Sequence, residues 1–116
     1  MTYTLFGIKN CDTMKKARNW LDENGIAFEF HDYKKSGADA DILKRGFEIH
    51  GWDKIINRRG TTWRKLPKEM QENMDAETAL QAALDNPSLI KRPLLVSDDL
   101  FMVGFDEELW KTLPKS

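Results

Sequence analysis

The chain has 116 residues, with 18 lysines and arginines against 19 acids and a net charge of −1. That length accommodates one domain with a real core and no need of cross-links, and the near-neutral balance excludes bulk electrostatic attraction to nucleic acid or to an anionic membrane. A single cysteine excludes an internal disulfide and agrees with a reducing compartment.

Thr2 to Phe6 is rich in β-formers and stops at Gly7, which predicts a first strand. From Asp12 the apolar period becomes helical, with Met14, Ala17 and Leu21 on one stripe, Lys15, Lys16, Arg18 and Asn19 largely off it, and Gly25 as the stop. Ala27 to Asp32 reads as a second strand, and Lys34-Lys35-Ser36-Gly37 as a polar loop after it. Asp39 or Asp41 can then cap a helix that carries Ile42, Leu43, Phe47 and Ile49 and ends at Gly51.

Trp52 to Ile56 suits a short helical piece, followed by the basic loop Asn57-Arg58-Arg59-Gly60. Thr61 or Thr62 can cap one more turn through Trp63 and Leu66, and Trp52 and Trp63 are expected to pack in the core. Pro67 and Asp75 open two further helices, the second closed before Pro87. Strand character returns at Leu94-Leu95-Val96 and Phe101-Met102-Val103, joined through Ser97-Asp98-Asp99-Leu100 as a tight hairpin. A last helix begins at Asp106, with Glu107 and Glu108 in its first turn. The order β-α-β, several helices, β-β-α is that of a thioredoxin-like α/β domain with a helical insertion. Here that predicts one domain over residues 1–116 with the insertion at about 38–90.

Cys11 falls where the first strand gives way to the first helix. A sulfur there faces unpaired backbone N–H groups and the positive end of the helix dipole, which favour its anionic, nucleophilic form. Free cysteines are also often small buried hydrophobes, but the polar, turn-forming neighbours Asn10 and Asp12 favour the reactive reading. An ordinary thiol, with a pKa of about 8.5, needs roughly 2 kcal/mol of help to become half ionised near neutrality. A helix terminus supplies only about 0.3–1 kcal/mol at an exposed site, so a further cation is expected. His31 and His50 are too few for a metal site, and no carboxylate or cysteine spacing completes one. The amino-terminal stretch lacks the basic-then-apolar build of a signal peptide, and no apolar run approaches the roughly 20 residues of a membrane span. A cytoplasmic protein that binds neither membrane nor nucleic acid directly is the expectation.

Three separated blocks resemble the ArsC/Spx family, most closely its YffB-like branch of thiol reductases. They are Gly7-Ile8-Lys9-Asn10-Cys11-Asp12-Thr13-Met14-Lys15-Lys16-Ala17, Arg59-Gly60-Thr61-Thr62-Trp63-Arg64-Lys65-Leu66, and Ile90-Lys91-Arg92-Pro93. The resemblance runs from about Thr2 to Trp110. It implies a thioredoxin-like fold with a helical insertion (ArsC-like), Cys11 as nucleophile, and Arg92 as its catalytic partner before a proline, Pro93, that is usually cis in the family. Lys9, Asn10, Asp12, Thr13, Pro93 and the cations Arg58 and Arg59 are the expected contacts for substrate or glutathione. No cofactor is expected to be bound. Met14 occupies the position of the second cysteine in C-x-x-C relatives, so the resolving thiol must come from outside, with glutathione as co-substrate and a disulfide or oxyanion as substrate.

The chain departs from arsenate reductases in two places. Ile55-Ile56 is followed by Asn57, with Arg58 and Arg59 displaced beyond it, and the late-strand arginine is replaced by Gly104-Phe105. A glutathione-linked thiol reductase is therefore the first reading. The alternative is a Spx-like regulator that binds RNA polymerase, and arsenate reduction is third.

Overall fold

A computed structural model describes residues 3–9 and 11–113. The elements are β1 (Tyr3–Gly7), α1 (Asp12–Glu23), β2 (Phe28–Asp32), α2 (Tyr33–Ser36), α3 (Ala40–His50), α4 (Trp52–Ile55), α5 (Thr61–Arg64), α6 (Lys68–Glu72), α7 (Ala76–Asp85), a 3₁₀ turn (Pro87–Leu89), β3 (Leu94–Ser97), β4 (Leu100–Val103) and α8 (Glu107–Trp110). The chain divides into two compact units, residues 1–36 with 92–116, and residues 37–91.

The first unit is built on a four-stranded sheet in the order β2-β1-β3-β4. β1 runs parallel to β2, which requires a crossover, and α1 supplies it. β1 pairs antiparallel with β3, with Phe6 opposite Leu94. β3 turns into β4 through Asp98-Asp99, leaving Ser97 opposite Leu100. Alternation along β1 puts Tyr3 and Leu5 on one face. There, with Leu95, they form a core with Met14, Ala17, Trp20 and Leu21 of α1 and Trp110 of α8. Trp110 meets Trp20 and Phe105 edge-on, at ring separations of 5.8 and 4.8 Å. The helical stripe read from the sequence is thus the buried face of α1.

Gly7 ends β1 beneath α1, where a Cβ would run into the Met14 thioether. Met14 is completely buried, so it has little room to yield.

The second unit is helical. Asp39 caps α3 by accepting the N–H groups of Asp41 and Ile42, and Gly51 closes it at φ +91°, a conformation that favours glycine. Asp75 caps α7 reciprocally, its carboxylate accepting the Thr78 N–H while the Thr78 hydroxyl oxygen accepts the Asp75 N–H. α3, α4 and α7 pack on one another. Ala79, Ala82 and Ala83 are the buried residues of α7. Ile56 bridges to Ile90, supported by Asn57 N–H to Leu89 C=O at 2.7 Å and Lys91 N–H to Ile55 C=O at 2.9 Å.

Two local expectations are corrected, and one element is added. Residues 34–36 belong to a helical turn rather than a loop, because the Asp32 carboxylate accepts the Lys34 N–H at 2.9 Å and nucleates it. Neither Thr61 nor Thr62 caps α5; Gly60 holds the N-cap position and both threonines lie inside the helix. The 3₁₀ turn at Pro87–Leu89 was not expected; proline opens it with a preset φ. Thr2, the expected start of the first strand, lies outside the described residues. No helix among the described residues is long and apolar enough to cross a membrane.

Gly7→Ala should destabilise the protein by about 1–3 kcal/mol through overpacking against Met14. Combined with Met14→Ala it should cost less than the two single changes added, as a urea-denaturation double-mutant cycle would show. The Thr78 backbone and hydroxyl hydrogen bonds hold the Asp75 carboxyl below its ordinary range. Its folded-state pKa is therefore lower than its unfolded one, so the stabilisation is present above the unfolded value and lost as pH falls through the folded value. The stability difference between the unsubstituted protein and Asp75→Ala should accordingly be full at neutral pH and shrink on acidification, measured by thermal unfolding across pH.

Candidate active site

Cys11 is the N-cap residue of α1, extended at φ −112° and ψ 132°. Its carbonyl accepts the Lys15 N–H at 3.0 Å, while its side chain makes no capping hydrogen bond. The sulfur is therefore not consumed by the helix end it faces. The thiol is half-buried and packs against the edge of the core that α1 forms with the sheet. Asp12 and Thr13 are the next two residues, both exposed in the first turn. Asp12 thus does not cap the helix, since that position belongs to Cys11. Asn10 lies outside the described residues.

The sheet brings Arg92 to the same end. With Phe6 opposite Leu94 and the strands antiparallel, the chain leaving β1 toward Cys11 and the chain entering β3 from Arg92 and Pro93 emerge side by side. The Arg92–Pro93 bond is cis, as the family resemblance implied. Pro93 is buried, and its carbonyl accepts the Gly104 N–H at 2.8 Å. Arg92 is half-buried. Gly104 adopts φ +78°, and Phe105 packs edge-on against Trp110. The late-strand position of the missing arginine is thus filled by a glycine-favouring turn and an apolar contact.

Lys9 is exposed, and its carbonyl accepts from Arg18 Nη2 at 3.4 Å. The Arg18 guanidinium lies 5.4 Å from the centre of the Phe30 ring. The sequence places Arg18 only off the apolar stripe of α1, and Phe30 only in a strand. The missed signal is a pairing across α1 and β2 that periodicity within either element cannot reveal.

Arg58 and Arg59 belong to the second unit. Arg58 sits 5.7 Å from the ring centres of both Trp52 and Trp63. The Arg59 N–H donates to Asn57 Oδ1 at 3.2 Å. A 600 Å³ cavity there is lined by Lys54, Asn57, Arg58, Arg59 and Lys91, with Asp53 as its one acid. Trp63 is buried as expected, whereas Trp52 is only half-buried. Both also hold Arg58, a role the sequence reading did not assign. No cluster of three or more His, Cys, Asp or Glu able to hold a metal occurs among the described residues.

The β-α-β, helical, β-β-α chain, with a lone thiol at the start of α1 and a cis proline before β3, is a thioredoxin-like fold of the ArsC type. The chain belongs to the ArsC family, whose model matches residues 6–113. It is similar to the solved YFFB (PA3664) protein, at 47% identity and a TM-score of 0.90 over 94% of this chain and 96% of that one. An arsenate reductase (ArsC) related protein from Brucella melitensis is 50% identical, with a TM-score of 0.77 over 96% and 92% of the two chains. A global transcriptional regulator Spx from Streptococcus agalactiae is 30% identical over 107 residues, 90% of this chain and 77% of that protein.

A half-buried thiol with no capping bond should be alkylated by iodoacetamide in the native protein. Mass spectrometry should show one adduct, formed at a rate that does not rise with urea below the unfolding transition. A rate tracking the unfolded fraction would mean that the thiol is closed off.

Proposed function

We propose that this protein is a glutathione-dependent thiol-disulfide reductase with Cys11 as its nucleophile. The observation that carries the reading is the Cys11 side chain at the α1 N-cap, where it makes no capping hydrogen bond. In the first step the Cys11 thiolate attacks the glutathione sulfur of a mixed disulfide. The new sulfur–sulfur bond oxidises Cys11, and the departing substrate thiolate is reduced and takes a proton from solvent. A second glutathione thiolate then attacks the Cys11–glutathione disulfide, releasing glutathione disulfide and restoring the Cys11 thiolate. Met14 is buried and is not a thiol, so an intramolecular resolving step is unavailable.

Arg92 is the cation of the proposal. A guanidinium beside the reacting sulfurs stabilises thiolate in both steps and can hold a substrate carboxylate in bidentate fashion. Lys9, Asp12, Thr13 and Pro93 lie around the thiol in chain and sheet order in this reading, and Asn10, Arg58 and Arg59 are kept as ligand contacts on the family resemblance alone. Glutathione chemistry suits a reducing cytoplasmic setting. Arsenate fits less well, because Asn57 follows Ile55-Ile56 and Gly104-Phe105 offers no arginine.

A second reading, an RNA polymerase-binding regulator, is favoured by the 30% identity to the Streptococcus agalactiae Spx. The lack of a second cysteine would leave such a regulator without an internal disulfide switch.

Incubation with glutathione disulfide should add one glutathione to Cys11, removable by excess reduced glutathione and absent from Cys11→Ser. Arg92→Ala should slow turnover of a glutathione mixed disulfide by about 10- to 100-fold, the loss of one charge-assisted contact. Full turnover by that variant would remove Arg92 from the mechanism. Efficient arsenate turnover in a parallel assay would reverse the ranking, and inactivity on both with tight polymerase binding would favour the regulator.

A further inference from the structure

Within the first unit a cavity of 350 Å³ opens beside β2, lined by Lys9, Arg18, Glu29, Phe30, Asp32 and Lys35 among others. Its size falls within the range of small-molecule sites, about 300–1,000 Å³. Three of those residues are cations. Among the described residues none of the three makes an ion pair, whereas Lys111 pairs with Glu108. Arg18 is held in place, its guanidinium against the Phe30 ring and one N–H on the Lys9 carbonyl. A guanidinium fixed through its face and one edge still presents further N–H donors in the plane that suits a carboxylate.

The cavity also lies within reach of the thiol. Arg18 bonds the carbonyl two residues before Cys11, which puts its head within about 10 Å of the Cys11 backbone by chain geometry alone. From a disulfide on Cys11, the two side chains of the disulfide and one further residue of the ligand reach about as far, roughly 10 Å.

We infer that this cavity is a subsite for the carboxylate end of a short thiol peptide whose sulfur is joined to Cys11, with Arg18 as its principal contact and Lys9 and Lys35 as flanking cations. Glu29 gives the same cavity a carboxylate that can accept an ammonium, so a zwitterionic amino-acid end is matched at both poles. The inference rests on the thiol-exchange reading and adds a specificity to it. Disulfides carrying carboxylates should react with Cys11 faster than neutral ones, because these cations hold the ligand while the sulfurs exchange.

The test compares second-order rate constants for mixed-disulfide formation at Cys11 with two probes, glutathione disulfide and the neutral bis(2-hydroxyethyl) disulfide. Arg18→Met, which keeps an apolar stem against Phe30, should lower the ratio of the two constants by about tenfold. Lys35→Gln should lower it severalfold. Lys111→Gln, which removes the same formal charge from the residue that follows α8, should leave the ratio as it was. Raising the salt concentration should narrow the preference of the unsubstituted protein. A ratio unchanged in both Arg18→Met and Lys35→Gln, while Cys11 still exchanges with both probes, would overturn the subsite and leave the thiol reading standing. Failure of unsubstituted Cys11 to exchange with either probe would instead overturn the thiol reading and the subsite with it.

Discussion

The site depends on the antiparallel pairing of β1 with β3, which sets Phe6 opposite Leu94. Side chains on a strand alternate faces, so a slip of one residue would carry Tyr3 and Leu5, or Leu95, out of the core shared with α1. All three are completely buried, and each is worth about 1.5–3 kcal/mol of apolar burial. Packing remote from the chemistry thereby enforces the register. The register in turn brings the two loops that carry Cys11 and Arg92 out at one end of the sheet. Cys11 and Arg92 thus leave the sheet at the same end because leucines and a tyrosine are well packed several residues away.

The same packing explains why α1 carries a methionine where a second cysteine would stand. The position that would hold a second cysteine one turn into α1 is occupied by Met14, whose thioether fills the space above Gly7. It belongs to the core rather than to the solvent-facing start of the helix. The chain therefore carries its one thiol at Cys11 and no second thiol with which it could pair internally. Among the described residues, guanidiniums rest on aromatic faces at Arg18, over Phe30 in one unit, and at Arg58, by Trp52 and Trp63 in the other. Such stacking restrains a long side chain while leaving its charge available, which lowers the ordering cost of anion binding.

Much of this was legible in the residues. The apolar stripe of α1, its start after Cys11, the Asp39 and Asp75 caps and the β3–β4 hairpin all follow from local rules: helical period, capping chemistry and turn composition. Each depends on residues within a few positions of one another, so the sequence carries it directly. Where local rules competed, they misled. Thr61 and Thr62 are good caps, but Gly60 takes that position. Lys34 to Ser36 looks like a loop until the Asp32 carboxylate is seen to nucleate a helical turn.

The sequence by itself determined the lone thiol, its place at a helix start, the absence of a second cysteine and the succession of strands and helices. Tertiary structure alone decided that β1 lies beside β3, and hence that residues more than eighty positions apart share one end of the sheet. It also decided that Arg18 rests on Phe30 and that Arg58 is clasped by two tryptophans. The physical reason is the range of the forces involved. Propensity and capping act through neighbours in the chain, whereas stacking, register and the assembly of a cavity depend on which faces the folded core turns toward one another.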